Sequence, residues 1–125
     1  MSVTNDYLLY VLGQLGGLED VTSRRMFGGV GLYQEARIFG IIAGDILYFK
    51  VDNSNRGDYE ARRMNQFRPY ANKPQVSMTY YEVPADILED PEKCVAWARQ
   101  SATLAAAIKD PGPRRQRKEQ TRKRG

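Results

Sequence analysis

Residues 21–51 constrain the fold of this chain more than any other segment. They hold four candidate strands, at 21–26, 30–34, 37–43 and 46–51, the last three rich in Val, Ile, Leu, Tyr and Phe. Glu35-Ala36 and Gly44-Asp45 separate the later runs by two residues each, and Gly28, Gly29 and Gly31 interrupt the first junction. Two residues are too few for a parallel crossover, so antiparallel hairpins are the economical topology. The run 37–43 alternates poorly but is rich in Ile and Phe. It reads as a strand buried on both sides or placed centrally.

The flanking segments read as helices. Tyr7, Leu8, Val11, Leu12 and Leu15 recur on one face of a helix over 5–15, with Thr4 or Asn5 as its cap and Gly16-Gly17 as a left-handed stop. Asp52-Asn53-Ser54-Asn55 is turn chemistry, and a short helix is expected over about residues 56–66 with Tyr59 and Met64 inward. Arg68-Pro69-Tyr70 and Lys73-Pro74 mark an irregular connection. Residues 76–83 form a last strand, with Met78, Tyr80 and Glu82 on one face, closed by Pro84. Asp90-Pro91-Glu92 opens a long helix to about Lys109, with Cys94, Ala98, Ser101, Ala105 and Ile108 on its apolar stripe and Pro111-Gly112-Pro113 as its stop. This order points to one α+β domain over residues 1–110, a two-layer sandwich of an antiparallel sheet of about five strands with helices on one face.

Composition removes several chemistries. The 125 residues include no histidine, which excludes Ser-His and Cys-His triads and the commonest zinc ligand. The one cysteine, Cys94, permits no internal disulfide and suits a reducing compartment. No basic region followed by an apolar run opens the chain and no apolar stretch nears about 20 residues, so neither a signal peptide nor a membrane span is expected, and the location expected is cytoplasmic.

The net charge of +4 is uneven. Residues 114–125 carry Arg114, Arg115, Arg117, Lys118, Arg122, Lys123 and Arg124 against Glu119, a net of +6. The first 113 residues carry twelve cations and fourteen acids, a net of −2. Nucleic-acid affinity, if present, is therefore a property of the tail. The tail has no apolar residue to offset the entropy of ordering, so residues 111–125 are expected to be a disordered basic extension.

The order of the motifs carries a resemblance. Arg24-Arg25-Met26-Phe27-Gly28-Gly29-Val30-Gly31-Leu32-Tyr33, then Phe39-Gly40, Asp45-x-Leu47-Tyr48-Phe49-Lys50-Val51-Asp52, Phe67-x-Pro69-Tyr70 and Met78-x-Tyr80-Tyr81-x-Val83-Pro84 together resemble the N-terminal domain of the TfoX/Sxy family. Ile87-Leu88-Glu89-Asp90 and Trp97-Ala98 fit as well. The resemblance implies a secretion-chaperone-like α-β(3)-α-β(2)-α arrangement and a link to bacterial competence regulation through a transcription factor. Longer members carry a second, helical domain, whereas this sequence continues into the basic tail.

Each candidate site has a competing structural reading. Gly28, Gly29 and Gly31 beside Arg24 and Arg25 offer N–H groups for an anion, but no phosphate-loop pattern is present. A bulge or a closely packed helix is the favoured explanation. Arg24 and Arg25 point to opposite faces of a strand, and one of them is expected to pair with a carboxylate. Tyr48, Tyr80 and Tyr81 could stack bases, although strand tyrosines are usually packing residues. Cys94 lies near a helix start yet on its apolar stripe.

The resulting expectation is a non-enzymatic regulatory or adaptor module with no cofactor and no metal. It works through an unidentified protein partner, with nucleic-acid contact through Arg114 to Arg124 and a second copy of the chain as a further candidate partner. The alternative is direct, non-specific DNA binding through the tail together with Arg24 and Arg25.

Overall fold

The computed structural model describes residues 3–26, 28–68 and 79–107. Its elements are α1 (Asn5–Gln14), β1 (Val21–Met26), β2 (Gly29–Gln34), β3 (Arg37–Ala43), β4 (Ile46–Lys50), α2 (Arg56–Glu60), β5 (Tyr80–Glu82), α3 (Ala85–Glu89) and α4 (Pro91–Ala107). The strands form one antiparallel sheet in the order β1-β2-β3-β4-β5. The class is the expected α+β sandwich. The strands divide four and one around α2, rather than three and two.

Two hairpin turns follow from strand spacing, although their residues are unusual. Glu35 and Ala36 both have positive φ (50° and 71°), as do Gly44 and Asp45 (59° and 56°). Left-handed residues at both central positions match the twist of the flanking strands. Asp45 also ties its turn to α1. Its carboxylate accepts from the Thr4 N–H at 3.0 Å and from the Thr4 hydroxyl at 3.1 Å. Thr4 caps α1 as expected, accepting from the Tyr7 N–H at 3.2 Å. The left-handed stop at Gly16-Gly17 does not occur. The last turn tightens instead, with Gly16 N–H on the Gly13 carbonyl at 3.1 Å, and the left-handed residue is Asp20, just before β1.

A bulge explains the poor alternation of β3. Gly40 pairs with Leu32 but Ile38 pairs with Tyr33, so Phe39 is an extra residue in the ladder. Phe39 thereby turns into the core on the same side as Gly40, with its ring 6.0 Å from that of Phe49. A Cβ on Gly40 would lie 3.2 Å from the Phe49 ring. The strand is central, as expected.

One face of the sheet carries Val30, Leu32, Ile42, Leu47 and Phe49, all buried under α1 and α4. Helix α4 can lie close because its inward stripe is small: Cys94, Ala98, Ser101, Ala102 and Ala105. The buried Ser101 hydroxyl donates to the Lys50 carbonyl at 2.7 Å. Asp90 caps α4, accepting from the Glu92 and Lys93 N–H groups at 3.1 and 3.3 Å.

Three expectations need correction. The short helix ends at Glu60 rather than near residue 66, because Arg63 takes φ 59° and turns the chain back toward the sheet. Gln66 then bridges to Tyr81 of β5. The five-residue helix α3, between Pro84 and Asp90, was not expected. Of the last strand, β5 accounts for Tyr80–Glu82. Residues 76–78 lie outside the described residues, as do Ile108, Lys109, the Pro111-Gly112-Pro113 stop and the basic tail with Arg114, Arg115, Arg117, Lys118, Arg122, Lys123 and Arg124.

Candidate functional site

The motif 24–33 forms the β1–β2 hairpin at one side of the sheet. Met26 and Gly29 make its last pair, and Gly28 supplies a φ of 79° in the loop. Phe27 lies outside the described residues. Gly31 sits on β2 between Arg24 of β1 and Ile41 of β3, so it lies within the ladder on both sides, and Gly29 pairs with Met26 at the start of the strand.

What those two glycines accommodate is the sheet itself. A Cβ on Gly29 would come within 2.8 Å of the Ile42 carbonyl oxygen. A Cβ on Gly31 would meet Met26 Cε at 2.5 Å, Tyr33 at 3.0 Å and Ile38 at 3.2 Å. The expected bulge lies elsewhere, at Phe39, and the close neighbours are strands and side chains rather than a helix.

Arg24 and Arg25 do take opposite faces, but their partners are not the carboxylate expected. Arg25 reaches the start of α1, donating to the Val3 carbonyl at 3.0 Å and to Asn5 Oδ1 at 2.7 Å. Arg24 lies over the Tyr33 ring on the other face, 5.7 Å from its centroid. The pair therefore makes no common contact surface.

The three tyrosines do not form a stacking platform. Tyr48 packs against Phe67 on the face away from the helices, with ring centroids 4.8 Å apart. Tyr81 points to the helix face, 5.9 Å from the Tyr59 ring, and its hydroxyl donates to Glu60 at 3.4 Å. Tyr80 is buried beneath Lys50, whose ammonium lies 5.1 Å from the ring centroid. Burial pushes the Tyr80 hydroxyl up to about 12 and moves the Lys50 ammonium below its ordinary range.

Cys94 is fully buried, and desolvation pushes its thiol up to about 11. Burial outweighs the helix dipole that could have activated it. Burial also raises the Tyr59 hydroxyl well above the ordinary tyrosine range. Among the described residues this hydroxyl makes no hydrogen bond of full geometry, although the neighbouring Ser101 hydroxyl lies close enough to offset part of that rise.

The concave feature that sequence reasoning missed is a shallow groove of about 560 Å³ between α2 and β5, lined by Glu60, Arg63, Asn65, Gln66, Arg68 and Tyr81. Arg68 donates to Gln66 Oε1 at 3.3 Å. The lining thus combines two guanidinium groups and two amides with the Glu60 carboxylate. The sequence signal was present in the four arginines of residues 56–68, though an over-long helix would have dispersed them. Among the described residues, no three His, Cys, Asp or Glu side chains gather as a metal site, and no helix is long and apolar enough to cross a membrane.

A comparison with curated proteins gave no match. The family model for the TfoX N-terminal domain matches residues 13–105, spanning the whole sheet and most of α4 but only the last two residues of α1, with the glycine hairpin and central strands inside it. With that match covering most of its 125 residues, the chain belongs to the TfoX N-terminal domain family.

Proposed function

We propose that this chain is a non-enzymatic regulatory or adaptor module related to competence regulators. It acts through protein contacts, and its basic residues 114–124 add weak, salt-sensitive affinity for nucleic acid. Membership of the TfoX N-terminal domain family over residues 13–105 is the observation that carries this reading.

Two features of the molecule support it. The family-motif residues Gly29, Gly31 and Arg25 are committed to holding the hairpin and α1 in place. The buried thiol and phenols are driven away from neutral pKa values, whereas acid–base or nucleophilic catalysis needs groups poised near the working pH. The alternative, direct DNA binding through the tail with Arg24 and Arg25, draws no support from β1, where Arg25 is occupied by α1.

Affinity purification of the tagged full chain from nuclease-treated extract tests the proposal. A stoichiometric protein partner that survives nuclease is the expected result. Complexes that vanish with nuclease would replace the adaptor reading with the nucleic-acid one.

A further inference from the structure

We infer that the open edge of β1 is a docking site for an extended, acidic segment of a partner protein, which adds antiparallel to the sheet as a sixth strand. The inference deepens the regulatory reading and rests on its claim of protein contacts, naming where such a partner binds and by what chemistry.

The fold treats its two sheet edges differently. At the β5 edge the chain covers itself. The Phe67 N–H donates to the Tyr80 carbonyl at 2.7 Å, and the Glu82 N–H donates to the Asn65 carbonyl at 2.9 Å. That strand is also only three residues long. The β1 edge runs for six residues, and nothing among the described residues pairs with its outer side. Thr22, Ser23, Arg24 and Arg25 are all exposed.

The backbone of that edge is presented in register. Val21–Met26 pairs residue for residue with Gly29–Gln34, without a bulge. The Glu35 N–H donates to the Asp20 carbonyl, so Asp20 belongs to a hydrogen-bonded pair, and by alternation so do Thr22, Arg24 and Met26. Val21, Ser23 and Arg25 then turn their N–H and carbonyl groups outward. Such a row of donors and acceptors is what strand addition uses. Natural edges are blunted by proline, by bulges or by covering segments. Residues 21–26 contain no proline and no bulge, and among the described residues no strand or loop is paired along them.

Charge selects the occupant. The side chains lean back over the sheet and leave the edge clear. Arg24 lies over the Tyr33 ring of β2, Met26 Cε lies against Gly31, and Arg25 turns to the start of α1. Arg24 has no carboxylate partner among the described residues. A second copy pairing edge to edge would gather four guanidinium groups on one ladder, and the basic residues 114–124 carry the same sign. Both are therefore opposed, and an acidic segment is favoured. Side chains opposite Thr22 and Arg24 share the face away from the helices, so the partner needs its acids at alternate positions.

The probe is the peptide Thr-Glu-Thr-Glu-Thr-Glu-Thr, blocked at both ends and added to the full chain up to about 1 mM at about 0.1 M salt. Amide hydrogen exchange read by NMR separates β1 from the basic tail. The Ser23 and Arg25 N–H groups should slow about tenfold or more at saturation, while those of Thr22 and Arg24, already bonded to β2, change little. R24Q should weaken binding about fivefold, and R24E should prefer the peptide with lysine in place of glutamate. S23P removes an outward N–H that the sheet does not use, so it should fold and lose the peptide. A peptide N-methylated at its threonines keeps every charge but loses its ladder donors, so it should leave β1 unprotected. That arm stands even where a variant fails to fold.

No slowing at Ser23 and Arg25 at about 1 mM would overturn the inference. Slowing that the N-methylated peptide or the lysine peptide reproduces on the wild-type chain would overturn it as well. The adaptor reading survives either failure, because the nuclease-resistant partner and not this peptide decides it.

Discussion

Adding one methyl group at Gly29 and at Gly31 tests whether the family's glycine motif is architectural. The two sites differ in what the new Cβ meets. At Gly29 it is 2.8 Å from the Ile42 carbonyl oxygen, on the backbone of the central strand β3. That atom is fixed by ladder pairing, so G29A must shift a strand. Overpacking of this kind costs about 1–3 kcal/mol, and the lower entropy of the unfolded alanine chain returns about 0.4–1. The net loss is about 1–2 kcal/mol, or roughly 4–8 °C in the thermal midpoint for a domain of this size. At Gly31 the nearest atom is Met26 Cε at 2.5 Å, the free end of a flexible side chain. G31A should therefore cost less than about 1 kcal/mol, because Met26 can rotate away. Adding M26A should offset part of the G31A cost and none of the G29A cost. Thermal and urea unfolding of the four variants would read this directly. Equal losses at the two positions, or no loss at either, would refute the packing argument and reopen the case for a backbone ligand site.

Other substitutions probe the remaining contacts. R25K keeps the charge but gives up the two-pronged reach to Val3 and Asn5, so it should cost about 1 kcal/mol and speed amide exchange in the first turn of α1. R62A removes both the ion pair to Asp86 at 2.6 Å and the cation 5.6 Å from the Trp97 ring centroid. It should shift the emission of this single tryptophan at a stability cost of about 0.5–1 kcal/mol. The native Cys94 thiol, pushed up to about 11, should resist alkylation at pH 8 and react only on unfolding. The same shift fixes a pH trend. Well below the ordinary thiol pKa of about 8.5 the thiol is neutral in both states. As pH rises from about 9 to 11 the unfolded thiol ionises first, so stability should fall there, joined by Tyr7 and Tyr80, each pushed up to about 12. A thermal midpoint that rises over that window would contradict the assignment.

What the sequence made legible was whatever depends on spacing and caps. Hairpins joined by two residues, the Thr4 cap and the Asp90-Pro91 helix start all follow from local chemistry, and each stands in the structure. What stayed hidden depends on tertiary contacts. Phe39 looked like a break in alternation because the bulge that redirects it arises from pairing with β2. The second helix looked longer because nothing local marks Arg63 for a left-handed φ, which is imposed when the chain returns to pair Gln66 with Tyr81. Helix α3 is too short to show a period. The groove was hidden for the same reason: Arg63 and Arg68 line it only once the chain returns to the sheet.

The most direct test of the central claim, a protein-contact domain with nucleic-acid affinity confined to its tail, is titration of labelled double-stranded DNA with the full chain and with residues 1–111 across a salt series. The account predicts that residues 1–111 do not bind at physiological salt. Any binding by the full chain should fall steeply as salt rises, with a log–log slope of about −0.9 for each phosphate contacted. Binding by residues 1–111 as tight as that of the full chain would contradict it.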